Sequence, residues 1–378
     1  MRKLTKIDFE RIVLGSSFYG GGGGGSADEG FGLIKEMLKV DPNASIDMYD
    51  ISEVEDDPNV VSTMVAALGS PVATKGRTFQ DESTNSVIGM GEEAKAQGKT
   101  LKYVYSGEQG GGNTMLPLYA AWRNGLPIID TDGNGRAVPE LNTGLTPVHG
   151  IATSPVVLAS EKGDTIVGRT KDPFDSKSCE TIARYMCQAY DQGIGFAAWM
   201  MNKEDHLKST AIGQMTVTID VGEIFADNPG PVAIEKLEAY YVNKGEQYKT
   251  FIKAGTITDM QIDSAGGFDT GVTTIKDDET GKEYKVTFQN ENLFVEDEAG
   301  EVLITIPGII SVILLDDGTG HAKAISNSET KVGQKVALVA VNAHEKWYDV
   351  PECYGCWNDV MVSAGYGEGD KAKPEVRL

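Results

Sequence analysis

Residues 20–25 constrain this chain more than any other stretch, because six consecutive glycines fit neither a helix nor a strand. Ordering glycine costs more backbone entropy than ordering any other residue. A fold that fixes such a tract therefore uses it where backbone approaches something closely or takes positive φ. The tract reads as a loop between a strand at 11–15 and a helix carrying Leu33, Ile34, Met37 and Leu38. That position sets backbone N–H groups at a helix N-terminus, which favours a carboxylate or phosphate. Gly22 and Gly23 are its candidate ligand contacts. A glycine run matches G-x-G-x-x-G trivially, and the Lys-Ser/Thr pair of a phosphate-binding P-loop does not follow it. Asp50 stands where a dinucleotide fold keeps its ribose-binding acid. A loop without a ligand also fits.

From residue 11 to about 132, short apolar runs alternate with helical periodicity, the pattern of a mainly parallel sheet covered by helices. Strands are predicted at 46–50, 101–105 and 126–130, with a helix at 115–122. Ser176 is the predicted cap of a helix over 176–190. A helix or long strand covers 207–225, where β-branched residues weaken the helical reading. From about 236 to 345 the runs become short and β-rich (284–288, 301–306, 309–315, 336–341), with turns at 277–281 and 316–320, as in a small sandwich or barrel. The predicted fold is an α/β N-terminal domain with a mainly parallel sheet (1–235) and a smaller β-rich C-terminal domain (236–345). Residues 346–378 form a C-terminal segment able to return to the first domain.

A formal net charge of -22 excludes an unspecific grip on a nucleic-acid backbone, which needs clustered Lys and Arg. No run reaches the ~18–20 apolar residues that span a bilayer, and the N-terminus lacks the apolar stretch of a signal peptide. A cytoplasmic protein is expected. Four cysteines are too few for a disulfide scaffold in 378 residues. The pair Cys353 and Cys356 forms a lone C-x-x-C, open to a redox or an incidental reading. The four histidines show no metal-binding spacing.

Two further glycine-flanked acidic segments follow predicted strands: Ser106-Gly107-Glu108-Gln109-Gly110-Gly111-Gly112-Asn113, and Asp130-Thr131-Asp132-Gly133-Asn134-Gly135-Arg136 on to Glu140. In open α/β sheets ligands gather at the carboxyl ends of strands, and both segments leave their strands there. Carboxylates so placed suit general-base work or a divalent metal such as zinc, with Asp130, Asp132 and His149 as candidate ligands. The Asp130 segment starts like a calcium loop, but Leu141 stands where its twelfth-position Glu belongs.

These residues resemble the S-methyl-thiohydantoin desulfurase-like family, related by name to hydantoinases and oxoprolinases. The resemblance rests on the glycines 20–25, Leu68-Gly69-Ser70-Pro71, Glu108 with Gly110 to Asn113, Pro117-Leu118, and the run from Leu126 through Asp130, Asp132 and Arg136 to Glu140. It continues more weakly at Phe288-Gln289-Asn290-Glu291 and Ile306-Pro307. The sequence departs from the family at Val72-Ala73-Thr74-Lys75 and at Pro351 to Gly355. The resemblance implies hydrolysis of a C–S bond in a five-membered cyclic ureide, giving a thiol and a hydantoin. Glu108, Asp130 or Asp132 would then activate water, directly or through a metal. Backbone N–H groups of Gly22, Gly23, Gly111 and Gly112 would hold the developing charge, Arg136 a substrate carboxylate and Asn113 the ring, with Glu140 a further substrate-binding residue. Two alternatives stay open: a non-catalytic protein holding a nucleotide or small anion on the same loops, and an inactive scaffold. The expected partner is a small-molecule substrate, and a homo-oligomer is compatible with the sequence.

Overall fold

Residues 11–15, expected as the first strand, lie inside a helix, Lys6–Tyr19. This computed structural model describes residues 1–69, 77–265 and 268–378, so Ser70, Pro71 and the departure at 72–75 lie outside the described residues. The Thr5 N–H donates to Asp8 Oδ2 at 2.9 Å, fixing the helix start. Phe9, Ile12, Val13 and Ser16 then fall on one buried face. From Gly15 to Tyr19 every residue is buried, so the polar stripe that marks an amphipathic helix is missing. Backbone contact with the helix Gln214–Asp227 makes that burial possible. A Cβ on Gly15 would lie 1.9 Å from the Thr218 carbonyl oxygen, and one on Gly222 1.8 Å from that of Arg11. The 207–225 stretch resolves into Lys203–Ser209, the two-residue strand Ala211–Ile212, and Gln214–Asp227.

Among the described residues the first sheet has nine strands. Its order is Arg2–Leu4, Ile46–Tyr49, Ile128–Asp132, Thr100–Ser106, Val60–Gly69, Gly193–Met201, Val156–Ala159, Thr165–Gly168, with Ala211–Ile212 beside Ile128–Asp132. From Ile46–Tyr49 to Val60–Gly69 the four strands are parallel, as an α/β domain requires. The flanking pairs are antiparallel. Helices Lys6–Tyr19, Ala27–Val40 and Gly111–Asn124 set Val13, Leu33, Met37, Met115 and Leu118 against Ile46, Val104 and Ile128. Farther along, Val157 and Ala197 meet Met90 of the helix Gln80–Ala96, while their neighbours Leu158, Phe196 and Ala198 meet Cys179 and Ala183 of Ser176–Cys187. This alternation is the two-residue period of a strand buried on both faces. Asp175 caps that last helix, accepting from the Ser178 N–H at 2.9 Å, one residue ahead of the predicted Ser176.

The second sheet is antiparallel, with eight strands among the described residues: Val302–Thr305, Glu291–Glu296, Glu283–Gln289, Phe268–Asp277, Tyr248–Ala265, Lys335–Val341, Ile309–Leu314 and Lys323–Ala324. It curls on itself. Val295 and Ile304 from one end of the order share an apolar core with Ile310 and Val312 from the other. Its outer face sets Ile309, Ala337 and Val339 against Phe225, Leu237 and Tyr241 of Gln214–Asp227 and Gly230–Lys244.

The glycine tract is the seam between the two sheets. The Gly21 carbonyl accepts from the Asn292 N–H at 2.7 Å, that of Gly22 from Asn327 at 2.8 Å, and that of Gly24 from Asn113 at 3.0 Å. Trp347 and Trp357 of the C-terminal segment pack with Leu145, Leu293 and Ile306 at the same junction.

Candidate active site

The parallel strands Thr100–Ser106 and Ile128–Asp132 end side by side, and the loops that follow are zipped together. The Gly133 N–H donates to the Ser106 carbonyl at 2.8 Å, and Asn134 Nδ2 to the Gly107 carbonyl at 2.9 Å. Glu108 is held at both oxygens. Asn113 Nδ2 donates to Oε1 at 2.7 Å and the Val138 N–H to Oε2 at 2.9 Å. A cavity of about 370 Å³ opens over these loops, bounded by Gly22 to Gly25, by Glu108, Asn113 and Glu140, and by Asn290 and Glu291 of the second sheet. The two glycine loops meet behind it. A Cβ on Gly110 would lie 2.1 Å from the Gly24 carbonyl oxygen, and one on Gly111 2.5 Å from that of Ser26.

Burial raises the Glu108 carboxyl to about 7, with the neighbouring charge of Asp132 adding to the effect and the Val138 and Asn113 donors opposing it. Glu291 is almost fully buried, and its Oε2 has no hydrogen-bond partner among the described residues. Burial and then the Glu108 charge push it well above the usual carboxylate range, against the pull of Arg136. Glu29 and Glu140 are raised mainly by burial as well. Among the described lining residues six carboxylates, Glu29, Glu108, Glu140, Glu180, Asp269 and Glu291, stand against one cation, Arg184. Arg184 is itself paired with Glu180 at 2.6 Å.

Several predicted site residues lie elsewhere. Asp130 accepts from the Thr216 N–H at 3.0 Å and its hydroxyl at 2.5 Å, anchoring the start of Gln214–Asp227. Asp132 is fully buried, accepts from the N–H groups of Asn134 and Gly135 and from Gln109 Nε2, and is raised by burial to about 6. It closes the turn that places Asn134. Neither aspartate lines the cavity. Arg136 is also fully buried and outside the lining. It donates to the Pro307 and Gly308 carbonyls at 2.7 and 2.9 Å and stacks on Trp357 at 5.0 Å, so it ties the sheets together, while its Nη2 has no hydrogen-bond partner among the described residues. Gly111 and Gly112 serve helix contact, not the cavity wall. The residues named for a metal do not fit one: His149 Nδ1 lies 2.9 Å from the Leu145 carbonyl, and no three His, Cys, Asp or Glu side chains among the described residues converge as ligands. Cys353 and Cys356 are free thiols, and burial raises both.

Sequence reasoning missed Glu29, Glu180, Arg184 and the aromatic lining Tyr105, Phe196 and Trp199. Trp199 has φ 50° where the strand Gly193–Met201 bulges against Val60–Gly69. Glu291 stood within the family-like Phe288 to Glu291 run without a role. Its partner, Gly23, is 268 positions away, close enough that a Cβ there would lie 2.0 Å from Glu291 Oε1.

Fold and cavity define a two-domain α/β protein with an acid-lined cavity at the seam of its sheets. A family model described as the S-Me-THD-like N-terminal domain matches residues 7–170, and one described as the S-Me-THD-like C-terminal domain matches 174–354. The chain therefore belongs to the S-methyl-thiohydantoin desulfurase-like family. No curated protein matches it. A crystal structure of a protein from Chromobacterium violaceum is similar with a TM-score of 0.81 over 97% of this chain and 98% of that one, at 24% identity, a likeness that bears on the fold. No helix of the described residues is long and apolar enough to cross a membrane.

Proposed function

We propose that the chain hydrolyses a cyclic amide, ureide or thiohydantoin-like small molecule, releasing a thiol where the ring carries an S-alkyl group. One observation carries this reading: Glu108 sits on the cavity wall, fixed at both oxygens, with its carboxyl raised to about 7. A general base is most effective when its pKa lies near the working pH. Glu291, pushed well above the usual carboxylate range by burial and by the Glu108 charge, is the complementary acid of this reading. Water gives a proton to Glu108 as its oxygen bonds the C=N carbon of the ring, and the C=N electron pair moves to nitrogen. The pair returns to expel sulfur, which takes the proton of Glu291 and leaves as the thiol. The ring then carries C–OH beside C=N, and passage of the hydroxyl proton to the ring nitrogen leaves C=O where it carried C–S, while transfer of a proton from Glu108 to Glu291 resets the pair. Asn113 positions Glu108, and no step passes through Asp130, Asp132 or Arg136.

The excess of carboxylates among the described lining residues argues against the other reading, a nucleotide- or anion-holding protein. The test is incubation of the purified protein with S-methyl-thiohydantoins, hydantoins and oxoproline, following thiol release and ring absorbance. Turnover by wild type, reduced about 10²-fold or more in Glu108→Gln, is expected. Absence of turnover by wild type on all of these rings removes the proposal.

A further inference from the structure

We infer that Trp199 reads the ring of the substrate, its indole Nε1–H donating to the ring carbonyl that is not under attack. The inference rests on the reading of the cavity as a site for a cyclic amide and adds a residue that recognises the ring. The strand Gly193–Met201 is buried on both faces. Ile194, Phe196 and Ala198 pack with Met64 and Tyr105, while Ala197 meets Met90 and Val157 on the opposite face. Regular alternation would turn Trp199 to that opposite face. Instead Met64 pairs with Ala198 and Ser62 with Met201, so the strand carries one residue more than its partner there, and Trp199 takes φ 50°. Trp199 and Met201 therefore join Ile194, Phe196 and Ala198, and Met200 falls on the face of Ala197. A left-handed backbone is strained for a side chain as bulky as an indole, and a bulge is a means of re-aiming a side chain. The residue re-aimed here is part of the cavity lining.

The indole carries a second mark. Its Nε1 is buried and has no hydrogen-bond partner among the described residues, although a buried indole N–H ordinarily finds an acceptor. Tyr105 Oη in the same cluster also lacks a partner, but Tyr105 keeps its place in the parallel pairing with Met64, so of the two only Trp199 is bent out of the strand pattern. A cyclic amide offers what the indole lacks. In the proposed hydrolysis Glu108 and Glu291 serve the carbon that loses sulfur, and the other ring carbonyl is an acceptor still in need of a donor.

The experiment titrates protein labelled with 15N at its four tryptophans with hydantoin and follows the indole N–H signals by NMR, that of Trp199 being the one missing from Trp199→Phe. This signal is expected to move downfield as hydantoin binds, and Trp199→Phe, which keeps an aromatic ring but no donor, should bind hydantoin about tenfold more weakly. Should that variant fail to fold, the wild-type affinity for imidazolidin-2-one, which has a methylene in place of the second carbonyl, decides. Binding about tenfold weaker than that of hydantoin supports the inference, and equal binding overturns it. Hydantoin bound with the signal unmoved, or bound equally well by Trp199→Phe, also overturns it and leaves the hydrolase reading to its own turnover test. A moved signal without turnover of any ring upholds Trp199 as the ring donor and removes the hydrolase reading. No binding of hydantoin to wild type overturns the inference.

Discussion

Glu108, the proposed base, also bears on stability. Unfolded, a glutamate ionises near its ordinary value of 4.5; folded, this one ionises at about 7. Between those pH values the unfolded chain has released a proton that the folded chain keeps, so rising pH favours unfolding by on the order of a few kcal/mol for this group. Its contribution is full below about 4.5, is lost through about 7, and stays lost above. In Glu108→Gln that term vanishes, and the melting temperature of the variant minus that of wild type should climb as pH rises from about 4.5 to 7. A difference independent of pH would contradict the raised carboxyl. His206 acts in the opposite sense: burial holds it down at about 3, so its contribution fades as pH falls below about 6.5. Glu108 was legible in the sequence because a glycine-flanked acid after a strand is a local signal. Glu291 was not, because its partners come from the other end of the chain.

At the scale of elements, the reading failed and succeeded for opposite reasons. The strands at 101–105 and 126–130 and the helix at 115–122 were legible from their period and from the turns that end them, and with them the meeting of the two loops. The helix Lys6–Tyr19 was not, because a helix buried all round its second half shows no stripe, and Ile12-Val13-Leu14 then looks like a strand. Its burial depends on bare backbone. Gly15→Ala or Gly222→Ala should destabilise the fold by about 1–3 kcal/mol in denaturant unfolding, despite alanine's higher helix propensity. Stability equal to wild type would show that the two helices are not in backbone contact. The glycine tract follows the same logic. It was read as a candidate anion cradle or a loop without a ligand; three of its carbonyls bond to Asn113, Asn292 and Asn327, so its bareness also lets the sheets meet and sets Gly23 against Glu291.

Across the whole molecule, the site exists only where both sheets are docked, and Arg136 is a main tie. Its guanidinium reaches two carbonyls of the second domain and lies over Trp357, a geometry that an ammonium cannot reproduce. Arg136→Lys should therefore lower unfolding stability by about 1–3 kcal/mol and reduce turnover without moving the pH profile. An unchanged melting temperature would deny it that role. The acidity that reads in the composition as a solvated surface continues inside, where the lining carboxylates lie too far apart in sequence to be grouped before the chain is folded. The role of Glu108 as base is tested most directly by the pH dependence of kcat/KM toward an S-methyl-thiohydantoin, in wild type and Glu108→Gln. The expected result is a limb that rises with pH through an apparent pKa of about 7 in wild type and is absent from a variant at least about 10²-fold slower. Wild-type turnover in Glu108→Gln with the same limb would contradict it.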